Sequence, residues 1–193
     1  MDMMKKINKK LLTAAIFATL LSANASAADG TINFVGKVTA SACATLVGAG
    51  PTGGAMELPA TVTLPNVTSS TLNEAVGTYA GHTRFSIYLE DCEATAGLDN
   101  VRAIFTTGSP AAGDSHVMGN TAPGGAQDVA IAILKTDGTE IDLNSGPDTD
   151  DGEPLPVVSG PVTLNYQAAY RSLTTTVTAG DVTGTANYII SYF

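Results

Sequence analysis

From Asp29 to Cys43 the chain reads Asp-Gly-Thr-Ile-Asn-Phe-Val-Gly-Lys-Val-Thr-Ala-Ser-Ala-Cys. In an extended backbone Ile32, Phe34, Gly36 and Val38 point to one side, and Asn33, Val35, Lys37 and Thr39 to the other. This alternation reads as a strand with one face meant for burial. A glycine on that face packs nothing and weakens the strand. It usually marks a place where another backbone or side chain comes very close. Nothing before the run could pair with it. The expectation is a strand built for a groove elsewhere.

The residues ahead of it carry a different message. Lys5, Lys6, Lys9 and Lys10 precede an apolar run, Leu11 to Ala23, and then Ala25-Ser26-Ala27. A positive start, a short apolar core and small residues at a cleavage site describe a secretory signal peptide, too short and wrongly flanked for a membrane span. Cleavage is expected before Ala28, leaving residues 28–193, enough chain for one domain with one good core. The whole chain has 9 basic and 18 acidic residues; without the four leader lysines and Asp2 the counts are 5 and 17, a net charge of −12. Such a surface repels nucleic acid and anionic lipid.

Two cysteines, Cys43 and Cys92, follow the export signal. In an oxidising compartment one disulfide is the simplest reading, worth about 4 kcal/mol by chain-entropy arithmetic for a loop of this size. A metal or redox site lacks the partners, since there is no CxxC and there are only two histidines.

The rest of the chain punctuates short strands with turns. Thr83–Cys92 alternates cleanly, with Phe85, Ile87 and Leu89 on one face. Strands are also expected at Asn100–Thr107, Asp128–Lys135, Glu140–Leu143, Val162–Ser172 and Thr185–Phe193, with Ala44–Val47 continuing the first. Asp137-Gly138 is a hairpin turn. Ala60–Val67 reads as a short strand interrupted by Pro65 and therefore at an edge or bulge. Gly48–Gly54 reads as a turn, and Gly108–Gly125 and Asn144–Pro156 as loops. Helix periodicity is absent apart from the leader and a turn near Ser70–Val76. The pattern predicts an all-β, immunoglobulin-like sandwich.

On these residues the opening run resembles the N-terminal extension of chaperone–usher pilus subunits, in particular type 1 fimbrial major (shaft) subunits. Gly36 in the third place of the apolar alternation and Cys43 seven residues later both fit. The C-terminus resembles theirs too, with Tyr188, Ile190 and Tyr192 alternating, a penultimate tyrosine at Tyr192, and Gly180 fourteen residues from the end. Phe193 departs from the family, where a polar last residue is usual. The resemblance implies an incomplete pilin sandwich, residues 43–193, completed by a donor strand from another subunit's extension, residues 28–42, after removal of residues 1–27. It implies a donor face of Ile32, Phe34, Gly36 and Val38, and a disulfide between Cys43 and Cys92. An acceptor groove recognised by a chaperone would involve Gly180, Tyr188, Ile190, Tyr192 and Phe193. Implied partners are a periplasmic chaperone, an outer-membrane usher, and further subunits in a head-to-tail fibre on the cell surface.

Other motifs carry less. Leu58-Pro59-Ala60-Thr61 starts like a sortase signal, but Val62 stands where glycine is needed. The acids Asp148, Asp150, Asp151 and Glu153 lack calcium-loop spacing and read as a solvated loop. Asp114-Ser115-His116 has the residue types of a hydrolase triad side by side, without a third group to orient the base across the fold. His82 and His116 read as solvent residues, and the Asn66-Val67-Thr68 sequon means little in a bacterial protein. No enzymatic activity, cofactor or metal is expected. A minor adaptor subunit is the nearest alternative. A carbohydrate-binding adhesin is more distant, because residues 28–42 leave no room for a lectin domain.

Overall fold

The structure is a computed structural model, and it describes residues 42–51, 58–146 and 150–193. All of these lie in one compact unit running from Ala40 to Phe193. The donor-face residues Ile32, Phe34, Gly36 and Val38, the leader and Asp148 lie outside the described residues.

Nine strands and one short helix follow in order: β1 (Cys43–Pro51), α1 (Ser69–Leu72), β2 (Tyr79–Cys92), β3 (Asn100–Thr106), β4 (Pro110–Ala111), β5 (Asp114–Gly119), β6 (Val129–Lys135), β7 (Glu153–Pro154), β8 (Gly160–Ser172) and β9 (Asn187–Tyr192). They form two antiparallel sheets, one of six strands in the order β1-β2-β8-β6-β5-β4, the other of three in the order β7-β3-β9. This is the expected sandwich.

Alternation sets which side chains meet between the sheets. On β2, Phe85, Ile87 and Leu89 are buried, and they register with Tyr166, Leu164 and Val162 of β8. On the small sheet Val101, Ala103 and Phe105 lie opposite Tyr192, Ile190 and Tyr188. These residues, with Ile131 and Ile133 of β6, make the main core. Phe85, Phe105 and Tyr166 pack as tilted or edge-to-face rings with centroids 5.0–6.2 Å apart. The other face of β6 is buried as well: Ala130, Ala132 and Leu134 form a second cluster with Val117 and Ala169. A strand buried on both faces reads as a continuous apolar run, as Val129–Leu134 does.

Five segments depart from expectation. Asn144–Pro156, expected as loop, holds the two-residue strand β7, paired to β3. Ala60–Val67 is not a strand; Pro59 and Pro65 cannot donate to a ladder. Val62 and Leu64 still pack against the core. Gly108–Gly125, expected as loop, holds the edge strand β4 and its inner neighbour β5, where burial of Val117 and Met118 outweighs the glycines. The first strand runs on through Gly48 to Pro51, across a register shift between Leu46 and Gly48. The return from the Asp137-Gly138 turn keeps ladder bonds, Ile141 N–H to Ile133 O and Lys135 N–H to Thr139 O, both 2.8 Å. It pairs as an isolated bridge, Leu134 to Glu140, and not as a full strand.

Candidate groove beside the last strand

Among the described residues the small sheet has three strands against the large sheet's six, and these leave part of the large sheet's inner face uncovered. Among the described residues β9 bonds only to β3, and its other edge is open. Alongside lies a groove of about 560 Å³. Its floor is the inner face of the large sheet, where Phe85, Ile87, Ile131, Ile133 and Ala168 emerge. One wall is Phe105 and Tyr188, and the other is the proline-flanked segment with Leu58, Val62 and Leu64. The groove is therefore apolar where a sandwich would ordinarily be closed, and it borders main-chain groups of β9 that pair with no other described strand. Those are the two things a further strand supplies partners for.

Each expected C-terminal residue has a definite place. Tyr188, Ile190 and Tyr192 point toward the core and are half-buried, while Ile189 between them is 64% exposed. Tyr188 lines the groove and packs on Phe105, centroids 6.2 Å apart. Its hydroxyl is buried without a hydrogen-bond partner among the described residues, and burial raises its pKa above the ordinary phenol value. Phe193 lies under the Arg102 guanidinium, 4.0 Å from ring centroid to Cζ. Its carbonyl accepts from Asp99 and Asn100 N–H, both at 2.9 Å. The large apolar last residue is thus tied to the start of β3.

Gly180 lines a different cavity, about 230 Å³, with Leu72, Tyr170, Val177 and Val182. A methyl group on it would lie 2.5 Å from the Ala126 nitrogen, so glycine lets the chain cross that loop closely. Gly184 plays the same part in the groove itself, where a methyl would lie 3.2 Å from both Ile131 and Met118.

Asn120 was not singled out in the sequence, and it fixes the approach to β9. Its amide donates to Ala126 O and Asp181 O, both at 2.8 Å. Its oxygen accepts from Ala122 N–H at 3.0 Å and Thr183 N–H at 2.9 Å. Four bonds from one side chain tie the Asn120–Ala126 loop to residues 181–183, just ahead of the groove residue Gly184, and no local pattern announces them.

The opposite end of the domain carries the disulfide. Cys43 and Cys92 are bonded, with Cα atoms 3.8 Å apart, at the first rung of the β1–β2 ladder.

The acid loop is not wholly solvated. Asp150 accepts from the Tyr166 hydroxyl at 2.7 Å and from Gly152 N–H at 3.0 Å, whereas Asp151 and Glu153 are exposed. The Tyr166 hydroxyl also accepts from Ala103 N–H at 3.2 Å. Burial, then the bond to Asp150, pushes its pKa well above the ordinary phenol range. His116 is half exposed, but it is paired: its Nδ1 lies 2.7 Å from Asp142 Oδ1. Asp114 pairs with Arg171 and also lies 3.7 Å from His116 Nδ1. Burial works to raise the Asp114 pKa, and the bonds from Arg171 and the His116 backbone outweigh it and hold it below the ordinary value. Asp114 and His116 thus sit in one ionic cluster with Arg171 and Asp142.

A family model described as "Fimbrial protein" matches residues 32–193. The chain is 37% identical over 183 residues to the F17 fimbrial protein of Escherichia coli, covering 92% of this chain and 94% of that one. It is 32% identical over 173 residues to the major fimbrial subunit SMF-1 of Stenotrophomonas maltophilia, covering 87% and 95%. Among solved structures, the type I fimbria protein and antigen of Burkholderia pseudomallei superposes with a TM-score of 0.53 at 24% identity, covering 75% of this chain and 93% of that one. A chaperone–usher pilus subunit, from a structure addressing rod uncoiling, gives 0.56 at 19% identity, covering 86% and 96%.

Proposed function

The chain belongs to the fimbrial protein family, and from that premise we propose that it is a shaft subunit of a surface fimbria that polymerises by donor-strand exchange. The carrying observation is the apolar groove along the edge of β9 that no other described strand pairs, in a chain whose residues 32–38 alternate apolar with mostly polar side chains. In this reading residues 1–27 are a removed leader, 28–42 a donor extension and 43–193 the acceptor domain.

The energetics favour exchange between chains. Burying Ile32, Phe34 and Val38 in a neighbour's groove is worth roughly 1.5–3 kcal/mol each. Ladder bonds to the β9 edge add to this and remove an aggregation-prone surface. A groove at one place and a strand at another make a heterologous contact that does not close, so the product is a filament. Until the neighbour arrives the groove needs a temporary occupant. A periplasmic chaperone would fill it, recognising the β9 edge with Tyr188, Ile190 and Tyr192, and an usher would hand the subunit on.

Gly36 provides the test. On the donor face it passes a shallow point of the neighbour's groove, where a large side chain would overpack at about 1–3 kcal/mol. Gly36→Leu is expected to be exported and chaperone-bound but to form no fibres under the electron microscope. Lys37→Leu, on the opposite face, is expected to form them. Fibres from Gly36→Leu as abundant as wild type would overturn the register.

A further inference from the structure

We propose that the tip formed by Val157 and Val158 is a contact surface for a second copy of this chain, the copy whose groove receives the extension. The inference rests on the donor-strand reading above.

Val157 and Val158 are 85% and 74% exposed, the most exposed large apolar side chains among the described residues. They sit side by side in the bend between β7 and β8. Solvated bends favour Gly, Asn, Asp and Ser, which accept turn geometry and bond to water. Two β-branched apolar side chains serve neither purpose. The bend is also firmly held. Leu155 is buried, and its N–H bonds Asp99 O at 2.8 Å. Pro156 O accepts from Ala94 N–H at 2.7 Å, and β8 starts at Gly160, opposite Cys92. The valines are displayed on a short stalk fixed at both ends.

Position identifies the partner. Three consecutive residues carry three different attachments. Cys92 bonds to Cys43. Glu93 N–H bonds Ala42 O at 2.8 Å, and Ala42 is where the extension joins the domain. Ala94 holds the valine tip. From Val38, the last residue of the donor face, to Ala42 is four residue steps, at most about 14 Å of extended chain. A copy that buries Val38 in its groove therefore comes within that distance of Ala42, and the tip anchored beside Ala42 faces it. Asp91 and Glu93 nearby are exposed acids, so at this end the valines are what gains from leaving water.

The test places the photoreactive residue p-benzoylphenylalanine at position 158 and uses the two-subunit product of donor-strand exchange, in which the receiving copy is the only neighbour. Irradiation is expected to give a covalent dimer whose cross-linked peptides come from two copies. A wild-type dimer that forms, is blocked by Gly36→Leu, and yet yields no cross-link from position 158 overturns the tip and leaves the donor-strand reading intact. A dimer that forms equally well with Gly36→Leu overturns that reading, and the tip's rationale with it. If the bulky probe itself prevents dimer formation, the Val157→Ser, Val158→Ser double variant decides. Its dimer is expected to dissociate roughly tenfold faster than wild type, and an unchanged rate overturns the proposal.

Discussion

Tyr166 joins the two sheets with a single hydroxyl. It reaches from β8 to accept from Ala103 of β3 and to donate to Asp150. β7 is two residues long and pairs only with Asn100 and Val101, so Ala103 lies past its end and takes a side chain as partner. Tyr166→Phe keeps the ring packing and leaves a buried amide and a half-buried carboxylate short of one bond each. The expected loss is about 1–3 kcal/mol in denaturant unfolding, and an unchanged midpoint would contradict the role. The inward set Phe85, Ile87 and Leu89 was legible from period-two alternation. The Asp150 contact was not: its partner lies across the fold, and a carboxylate in a Gly-Asp-rich loop looks the same whether it meets a tyrosine or water.

At the scale of elements, β9 is the strand on which the reading turns. Among the described residues it has one bonded edge and one open edge, with alternate side chains half-sunk into the core. Tyr192→Ala removes one of those side chains and is expected to lower chaperone co-purification and periplasmic yield, with about 1–3 kcal/mol less burial. Normal yield would count against recognition through this strand. β9 was readable because it alternates. The wall facing it, Leu58–Leu64, was only partly readable: Val62 and Leu64 pack inward, but the expected short strand has no ladder, because Pro59 and Pro65 remove donors. β5 was missed because glycines and prolines around it look like loop, while the burial of Val117 depends on β6 beside it.

For the whole molecule, two sheets were predictable and their six-to-three division was not, since pairing partners come from distant parts of the chain. The disulfide closes a loop of 49 positions, and replacing both cysteines by serine is expected to cost about 4 kcal/mol, measured as a shift in denaturation midpoint. Equal midpoints would show that the bond adds nothing to stability. Its location matters in another way. A fimbria is a rope, and on the donor-strand proposal tension on it would enter each subunit where the extension joins, at Ala42. Pulled from there, β1 would open from β2 as a zipper does, one rung after another from the end. The Cys43–Cys92 bond is that first rung. It acts as a rivet at the mouth of the zipper, so the load passes into β2 and from there into β8, registered with it from Tyr79 to Cys92. The strands then resist in shear, with many bonds sharing the pull at once.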